Sequence, residues 1–574
     1  MSAARLLLCL GACLIAVAAR AAPARHADPW WQHAVIYEIY PRSFQDSNGD
    51  GVGDLNGIAQ RLPYLQELGV DAIWIAPFYP SPQVDFGYDI SDYRAVDPQY
   101  GTLADFDHLV ALAKQHQIRV ILDMVLNHTS DKHPWFIEAS NSRTAWKHGF
   151  YCWNDGKTDA AGKHLPPNNW VSLFGGSAWQ WVPAVGQFYY HMFYRQQPDL
   201  NWRNPQVEQA MFAAMRFWLD RGVAGFRLDA ITTLFEDDKL RDEPALGGTN
   251  AQGDPKLSDV YTNNLPEVHG VIRRLRAMTD TYPGERLLIG ETYMPKTADL
   301  APWYGGAGHE ELQLPMDTLF GLGGKLDANS FRQRMTEAAT QLGGGQPLFV
   351  FDNHDNIRSW DRYGDGVHNA AIARIIAALL LTSRSAALLY QGEEIGQPTT
   401  TPTRVQDVRD PIGITGWPKE KGRDGERTPM QWDTSNAQAG FSKNPRTWLP
   451  VPANYRTINV KTELADPASL LNWHRRLIAL RRTRAALRDG RVVMLDPRNA
   501  SVLSYARVAA DGAAVVVSLN MSGTTQKVSL GLKAAGVTGS RLTTLLSNPA
   551  GIVDGAADRE LTLPPYAAWV GQLR

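Results

Sequence analysis

VILDMVLNH, residues 120–128, is the stretch from which the fold can be read. Residues 120–126 are apolar apart from Asp123, with no alternation of polar and apolar positions. A strand of this kind is buried on both faces, as in a parallel sheet covered by helices. Similar short runs recur at Val35–Tyr40, Ala72–Pro77, Gly225–Asp229, Leu287–Glu291, Glu311–Leu314, Leu348–Asp352 and Ala387–Tyr390. Between most of them lie amphipathic stretches with helical spacing, among them Ile58–Leu68, Leu103–Gln115, Gln206–Arg221 and Ala370–Thr382. Strands alternating with helices give an α/β protein, and eight such strands point to a closed (β/α)8 TIM barrel rather than an open sheet.

The spacing breaks in one place. About 80 residues rich in Trp, Pro, Gly and Asn separate the third run from the helix beginning near Gln206. A structureless loop of that length is unexpected in a compact domain, so an inserted small domain is expected over residues 129–205. The barrel then occupies residues 28–128 and 206–488. After the helical Leu470–Leu487, short alternating runs at Val492–Leu495, Val502–Val508 and Ala514–Leu519 predict an antiparallel β-sandwich over residues 489–574.

A chain of 574 residues exceeds a single core, in keeping with several domains. Net charge is −2 and no Lys/Arg run occurs, so nothing attracts nucleic acid or an anionic membrane; a small neutral partner is expected. Arg5, an apolar stretch from Leu6 to Ala19, and the small residues at Ala21 and Ala22 follow the order of a cleavable secretory signal over residues 1–22. The rival reading, a lipidated Cys13, has too short an apolar stretch ahead of it. Export to the periplasm or the medium follows as an expectation. No other segment has about 18 uncharged apolar residues, so no membrane span is expected. Cys9 and Cys13 fall in the signal, which leaves Cys152 without a disulfide partner; a buried apolar thiol is the expectation.

In a barrel of this type chemistry sits at the C-terminal strand ends. Here those ends carry Asp46 after the first run, then Asp85, Tyr88 and Asp89 after the second. The third holds Asp123 and ends in Asn127 and His128. Arg227 and Asp229 close the fourth, Glu291 the fifth, and His354 and Asp355 the seventh. One acid at a strand end is commonly a helix cap. Six acidic ends converging with two His and an Arg cost several kcal/mol, on the order of a buried like-charge cluster, unless counter-charge or function compensates. Paired carboxylates without a metal-ligand set suit glycoside hydrolysis, in which one ionised acid attacks and one protonated acid donates. A third acid nearby raises the donor's proton affinity. Arg227, two residues before Asp229, projects from the same face of the strand and can keep that carboxylate ionised.

The segments DMVLNH (123–128), GFRLDA (225–230), GET (290–292) and FDNHD (351–355) resemble, in order and at the right strands, the four signature segments of the α-amylase family, glycoside hydrolase family 13. QPDLN (197–201) is similar to a fifth segment of its oligo-1,6-glucosidase and α-glucosidase branch. The resemblance implies Asp229 as nucleophile, Glu291 as acid/base and Asp355 as transition-state stabiliser. It implies a terminal sugar pocket built by Asp85, Tyr88, His128, Arg227, His354 and Arg427 (in GERTPMQWD), with Tyr88 stacked on the sugar. Phe193 reads equally as pocket wall or as core of the small domain.

Asp46, Asn48, Asp50 and Asp54 stand at alternate positions of a glycine-rich loop, with the Val52 carbonyl between the last two. The loop fits a structural Ca²⁺, with Mg²⁺ as the alternative, and also fits a metal-free Asp/Asn/Gly turn. The resemblance favours Ca²⁺ there and assigns no metal to Asp123 or Asn127. It further implies an exo-acting α-glucosidase. Ala230, after the nucleophile, sits where Val accompanies α-1,6 and smaller residues α-1,4 linkages, so maltose-like substrates are expected. Transglucosylation and oligo-1,6-glucosidase activity stay as alternatives. A non-catalytic transporter-subunit role conflicts with the complete set of three acids. No organic cofactor is expected.

Overall fold

The computed structural model describes residues 29–552 and 554–574, so the expected signal, with Cys9 and Cys13, lies outside the described residues. Eight parallel strands close a barrel: β1 (Val35–Ile39), β2 (Ala72–Ile75), β3 (Arg119–Val125), β4 (Gly225–Asp229), β5 (Leu287–Gly290), β6 (Leu314–Asp317), β7 (Leu348–Val350) and β8 (Ala386–Tyr390). Each strand neighbours the next in sequence, and β8 closes on β1 through Val35 opposite Ala387.

Side chains of alternate residues point into the barrel, and their character changes along its axis. The lower interior is apolar, with Ile36, Trp74, Ile121, Leu287, Ile289, Met316, Val350 and Leu388 in one cluster. One step on toward the C-terminal ends, the same faces carry Glu38, Asp123, Arg227 and Asp229. The register sets Asp123 opposite Arg227 and Val125 opposite Asp229. This two-residue period brings the charged groups together above an apolar plug.

The sixth strand lies three residues later than the apolar run implies, at Leu314–Asp317 rather than Glu311–Leu314. The pairing of β6 with β5 passes through Pro315, which lies opposite Gly290. Glu311 is instead buried outside the sheet, paired with His269 at 2.6 Å and Arg273 at 2.9 Å.

Between β3 and the helix Pro205–Leu219 the chain builds a three-stranded sheet (Trp153–Asn154, Trp179–Val182 and Gln187–Tyr190) around Trp170, Trp179, Phe188 and Tyr190. Cys152 is free but only partly buried, and its thiol donates to Glu236 at 3.1 Å, so it is not a purely apolar thiol. The C-terminal region pairs a six-stranded antiparallel sheet with a two-stranded one. Arg507 docks it on the barrel by donating to the carbonyls of Thr382 (2.8 Å) and Ser383 (2.7 Å). Tyr505 and Trp569 are fully buried there. No helix among the described residues is long and apolar enough to cross a membrane.

Candidate active site

Arg227 organises the site. Its guanidinium lies 4.9 Å above the Trp74 ring and is 1% exposed. One terminal nitrogen meets Asp229 at 2.5 Å and Asp123 at 3.1 Å; the other meets Glu291 at 2.6 Å. Three carboxylates thus share one cation, and the surplus negative charge favours retention of a proton. Asp123 also accepts from Tyr88 (3.0 Å) and Trp74 (3.2 Å), so its lone pairs are engaged in holding its neighbours. Asp229 and Glu291 face open space. The backbone aids the second: Ala230, in left-handed conformation (φ 44°), donates its N–H to Glu291 at 2.9 Å.

The environments of the three expected catalytic acids differ. Burial, reinforced by Asp229 and Asp355 against Arg227, pushes Glu291 up to about 7, so it keeps a proton near neutrality. Burial also raises Asp229, to about 7, level with Glu291, against the 2.5 Å contact with Arg227 that favours its ionised form. Asp355 is the reverse case: burial is outweighed by His354, Arg423 and Arg427, which hold it far below the carboxylate range. Burial drives His354 itself down to about 3, so the two arginines supply the lasting charge, at 2.9 and 2.7 Å. His128 is likewise neutral, pushed by burial to about 3.

These groups border a cavity of about 400 Å³, within the usual range for a small-ligand pocket. Asp85, Tyr88, His128, Phe193, Asp229, Glu291 and Asp355 all line it. Phe193 is a wall residue, its ring 5.1 Å from His128. Arg227, His354 and Arg427 stand behind this lining. Arg427 is fully buried, gripping Asp355 and the His354 carbonyl (2.8 Å) from the rear.

The cation that does face the cavity is Arg423, four residues earlier, which the motif reading passed over. It bridges Asp85 (2.8 Å), Asp355 (2.9 Å) and Asp410 (2.7 Å) in the wall of the pocket. The need of a buried Asp85 for a counter-charge was the available signal, and GRDGERTPM offers two arginines to meet it. Gln197, in QPDLN, links Asp85 (3.1 Å) to His128 (3.0 Å).

The Asp46–Asp54 loop is a separate feature. Asp46 accepts from Gly49 (2.6 Å), Gly51 (2.9 Å) and Ser442 (2.5 Å). Asp54 accepts from Ser47 and caps the following helix through Gly57 (2.7 Å). Asp50 accepts from Val52 at 2.8 Å, and Asn48 from Asp50 at 2.9 Å. Among the described residues no three His, Cys, Asp or Glu side chains form a metal-holding cluster. A cation at this loop would therefore rely on mixed carboxylate, amide and carbonyl oxygens. That donor set suits Ca²⁺ or Mg²⁺.

Residues 38–490 match the family model of the α-amylase catalytic domain. Over 555 residues the chain is 41% identical to a probable α-glucosidase of Rhizobium meliloti, spanning 95% of this chain and 97% of the relative. It is 42% identical to maltase 1 of Drosophila virilis, over 87% and 79% of the two chains. Among solved structures it superposes on an α-glucosyl transfer enzyme with a TM-score of 0.84, at 40% identity over 96% and 100% of the chains. An isomaltulose synthase variant from Erwinia rhapontici, solved with sucrose, gives 0.85 at 34% identity over the same shares.

Proposed function

Since the chain belongs to the α-amylase family of glycoside hydrolases, we propose that it is a retaining, exo-acting α-glucosidase that hydrolyses short α-1,4-linked substrates such as maltose. The observation that carries this is the sharing of Arg227 by Asp229 and Glu291, at 2.5 and 2.6 Å on its two terminal nitrogens. Two carboxyls bound to one guanidinium and lining one cavity can act on the same glycosidic bond, one on the anomeric carbon and one on the leaving oxygen.

The chemistry needs the two acids in opposite protonation states, Asp229 ionised against Arg227 and Glu291 protonated. Ionised Asp229 attacks the anomeric carbon as Glu291 gives its proton to the departing oxygen, producing a glucosyl ester on Asp229. Glu291, now a carboxylate, takes a proton from water, and the resulting hydroxide equivalent releases glucose with its original α configuration. Asp355, kept ionised by Arg423 and Arg427, is placed to hold sugar hydroxyls and to stabilise positive charge at the anomeric centre. Arg423, bridged to Asp85 and Asp355 in the cavity wall, and a cavity of about 400 Å³ support a site that takes a chain terminus. Ala230, which lines the cavity with no more than a methyl group, supports the α-1,4 preference.

Transfer of glucose to another hydroxyl is the second reading. Leu173, Phe174, Tyr293 and Ile412 give the cavity an apolar side, which favours an organic acceptor over water. The structural neighbour described as an α-glucosyl transfer enzyme supports the same reading. We also propose a structural Ca²⁺ or Mg²⁺ on the Asp46–Asp54 loop, held by Asp46, Asn48, Asp50, Asp54 and the Val52 carbonyl, and export directed by residues 1–22.

Time courses on maltose and isomaltose test the substrate assignment. Glucose released faster from maltose supports it. Faster isomaltose cleavage makes the protein an oligo-1,6-glucosidase, and oligosaccharides preceding free glucose make it chiefly a transferase.

A further inference from the structure

The ring of His354 cannot turn. It is sandwiched between Tyr40 (5.5 Å, 16°) and Tyr88 (5.3 Å, 10°), with Trp74 edge-on at 6.2 Å. Only its protons are left to be assigned, and a count of donors assigns them. The Tyr88 hydroxyl has one proton and two partners, Asp123 at 3.0 Å and His354 Nε2 at 2.7 Å. Asp123 also faces Arg227 and the Trp74 N–H, all of them donors, so as an ionised carboxylate it accepts from Tyr88. The Tyr88 oxygen must then accept from His354, and Nε2 carries a hydrogen.

On the other side of the ring, Nδ1 lies 2.6 Å from Oε1 of Glu38, a residue on β1 that does not line the cavity. One proton sits in that contact, either on the ring facing a carboxylate or on Glu38 facing a neutral ring. Glu38 is fully buried, and its Oε2 accepts no hydrogen bond from any described residue. An anion there would hold half its charge against bare protein, a costly arrangement. Burial pushes Glu38 well up and His354 down, the same direction.

We infer that Glu38 is a positioning residue whose carboxylic acid donates to Nδ1 of His354 and so fixes the neutral tautomer with Nε2–H directed toward Tyr88 and Asp355. Nε2 is 3.3 Å from Asp355 Oδ2, so the positive end of the N–H bond that Tyr88 accepts also faces that carboxylate. The opposite tautomer would set a lone pair against Asp355 and would take the Tyr88 proton away from Asp123. Neither loss moves a heavy atom.

The inference rests on the reading of the site as an α-glucoside pocket, so the test separates the two. Steady-state cleavage of 4-nitrophenyl α-glucoside is measured for the whole protein, Glu38→Leu and Glu38→Gln. Leucine fills the space without a donor, whereas the glutamine amide donates to Nδ1 as the acid does. The leucine variant should lose about 10- to 100-fold in kcat, the scale of a misdirected donor at a charge-bearing site, while remaining folded by circular dichroism. The glutamine variant should recover most of that loss, which a merely structural role would not require. Equal losses in both, or unchanged kcat in the leucine variant, overturn the proposal. An inactive wild type sinks the glucosidase reading instead. The ¹⁵N signals of histidine-labelled protein then still decide the proton count. A ring with bare Nδ1 and protonated Nε2, absent from His354→Asn, supports it; a doubly protonated His354 contradicts it.

Discussion

Replacing Glu291 with glutamine separates what the acid does for catalysis from what it costs the fold. The carboxyl is raised from its ordinary 4.5 to about 7 by burial and by Asp229 and Asp355. At about 1.4 kcal/mol per tenfold change in proton affinity, this amounts to roughly 3 kcal/mol. The sign follows from which state holds the proton. Below about pH 4.5 the group is protonated whether the chain is folded or not, and it takes nothing from stability. Between 4.5 and 7 the unfolded chain releases a proton that the folded protein retains, so stability is lost as pH rises through that window. Above 7 a charge sits in a site that disfavours it. Glutamine is neutral throughout, so its advantage over the wild type should grow from near zero at pH 4.5 to roughly 3 kcal/mol at pH 8. A constant offset of about 1 kcal/mol is expected on top, because an amide cannot satisfy both the Arg227 and Ala230 donors. Thermal unfolding of both proteins across this pH range reads the growth of the difference. In parallel, hydrolysis of maltose should fall by about 10²- to 10⁴-fold, and that of 4-nitrophenyl α-glucoside by less, since its leaving group needs no proton. A thermal difference that stays the same at pH 5 and pH 8 would refute the reasoning.

Other consequences are more local. Arg423→Met leaves Asp85 and Asp355 facing each other across the pocket; with the arginine 15% exposed, the lower end of the buried-pair range, about 3 kcal/mol, is expected, together with a KM for maltose raised about tenfold while kcat falls less because Arg427 still holds Asp355. Equal KM values would remove Arg423 from the pocket. Ala230→Val puts a β-branched residue at φ 44°, which should cost about 1–3 kcal/mol and lower kcat/KM on maltose more than on isomaltose, read from the two substrates side by side. The wild-type kcat/KM on maltose should decline above about pH 7 as Glu291 loses its proton, and this alkaline limb should vanish in the glutamine variant. Chelation should lower the thermal midpoint of the wild type but not that of Asp46→Ala, and an unchanged wild-type midpoint would leave the Asp46 loop as a turn without metal.

The barrel was legible because its strands are buried on both faces and interrupted only where chemistry intrudes. Asp123 within VILDMVL and Arg227 within GFRLD mark the level at which the interior changes from packing to reaction. The sixth strand was misplaced since Glu311 and Pro315 obey needs that the apolar pattern does not carry: an ion pair outside the sheet for one, a strand position without a ladder donor for the other. The matched segments place Asp229, Glu291 and Asp355 around one cavity; Arg427, named with them, lies behind the lining, and Arg423, four residues earlier, is part of it. Two arginines four residues apart in one irregular segment have no periodicity to tell them apart; only the positions of Asp85 and Asp410 do. Glu38 was out of reach for a similar reason. On paper it is one acid in a β1 run, and its meaning depends on the orientation of a histidine more than 300 residues away.

The covalent route through Asp229 is the step on which the proposed mechanism depends. Maltose hydrolysis followed by anomer-resolved NMR should show α-glucose appearing first from the non-reducing unit, with Asp229→Asn abolishing it. Early β-glucose from the non-reducing unit, or an asparagine variant as active as the wild type, would contradict the retaining mechanism and the assignment of its nucleophile.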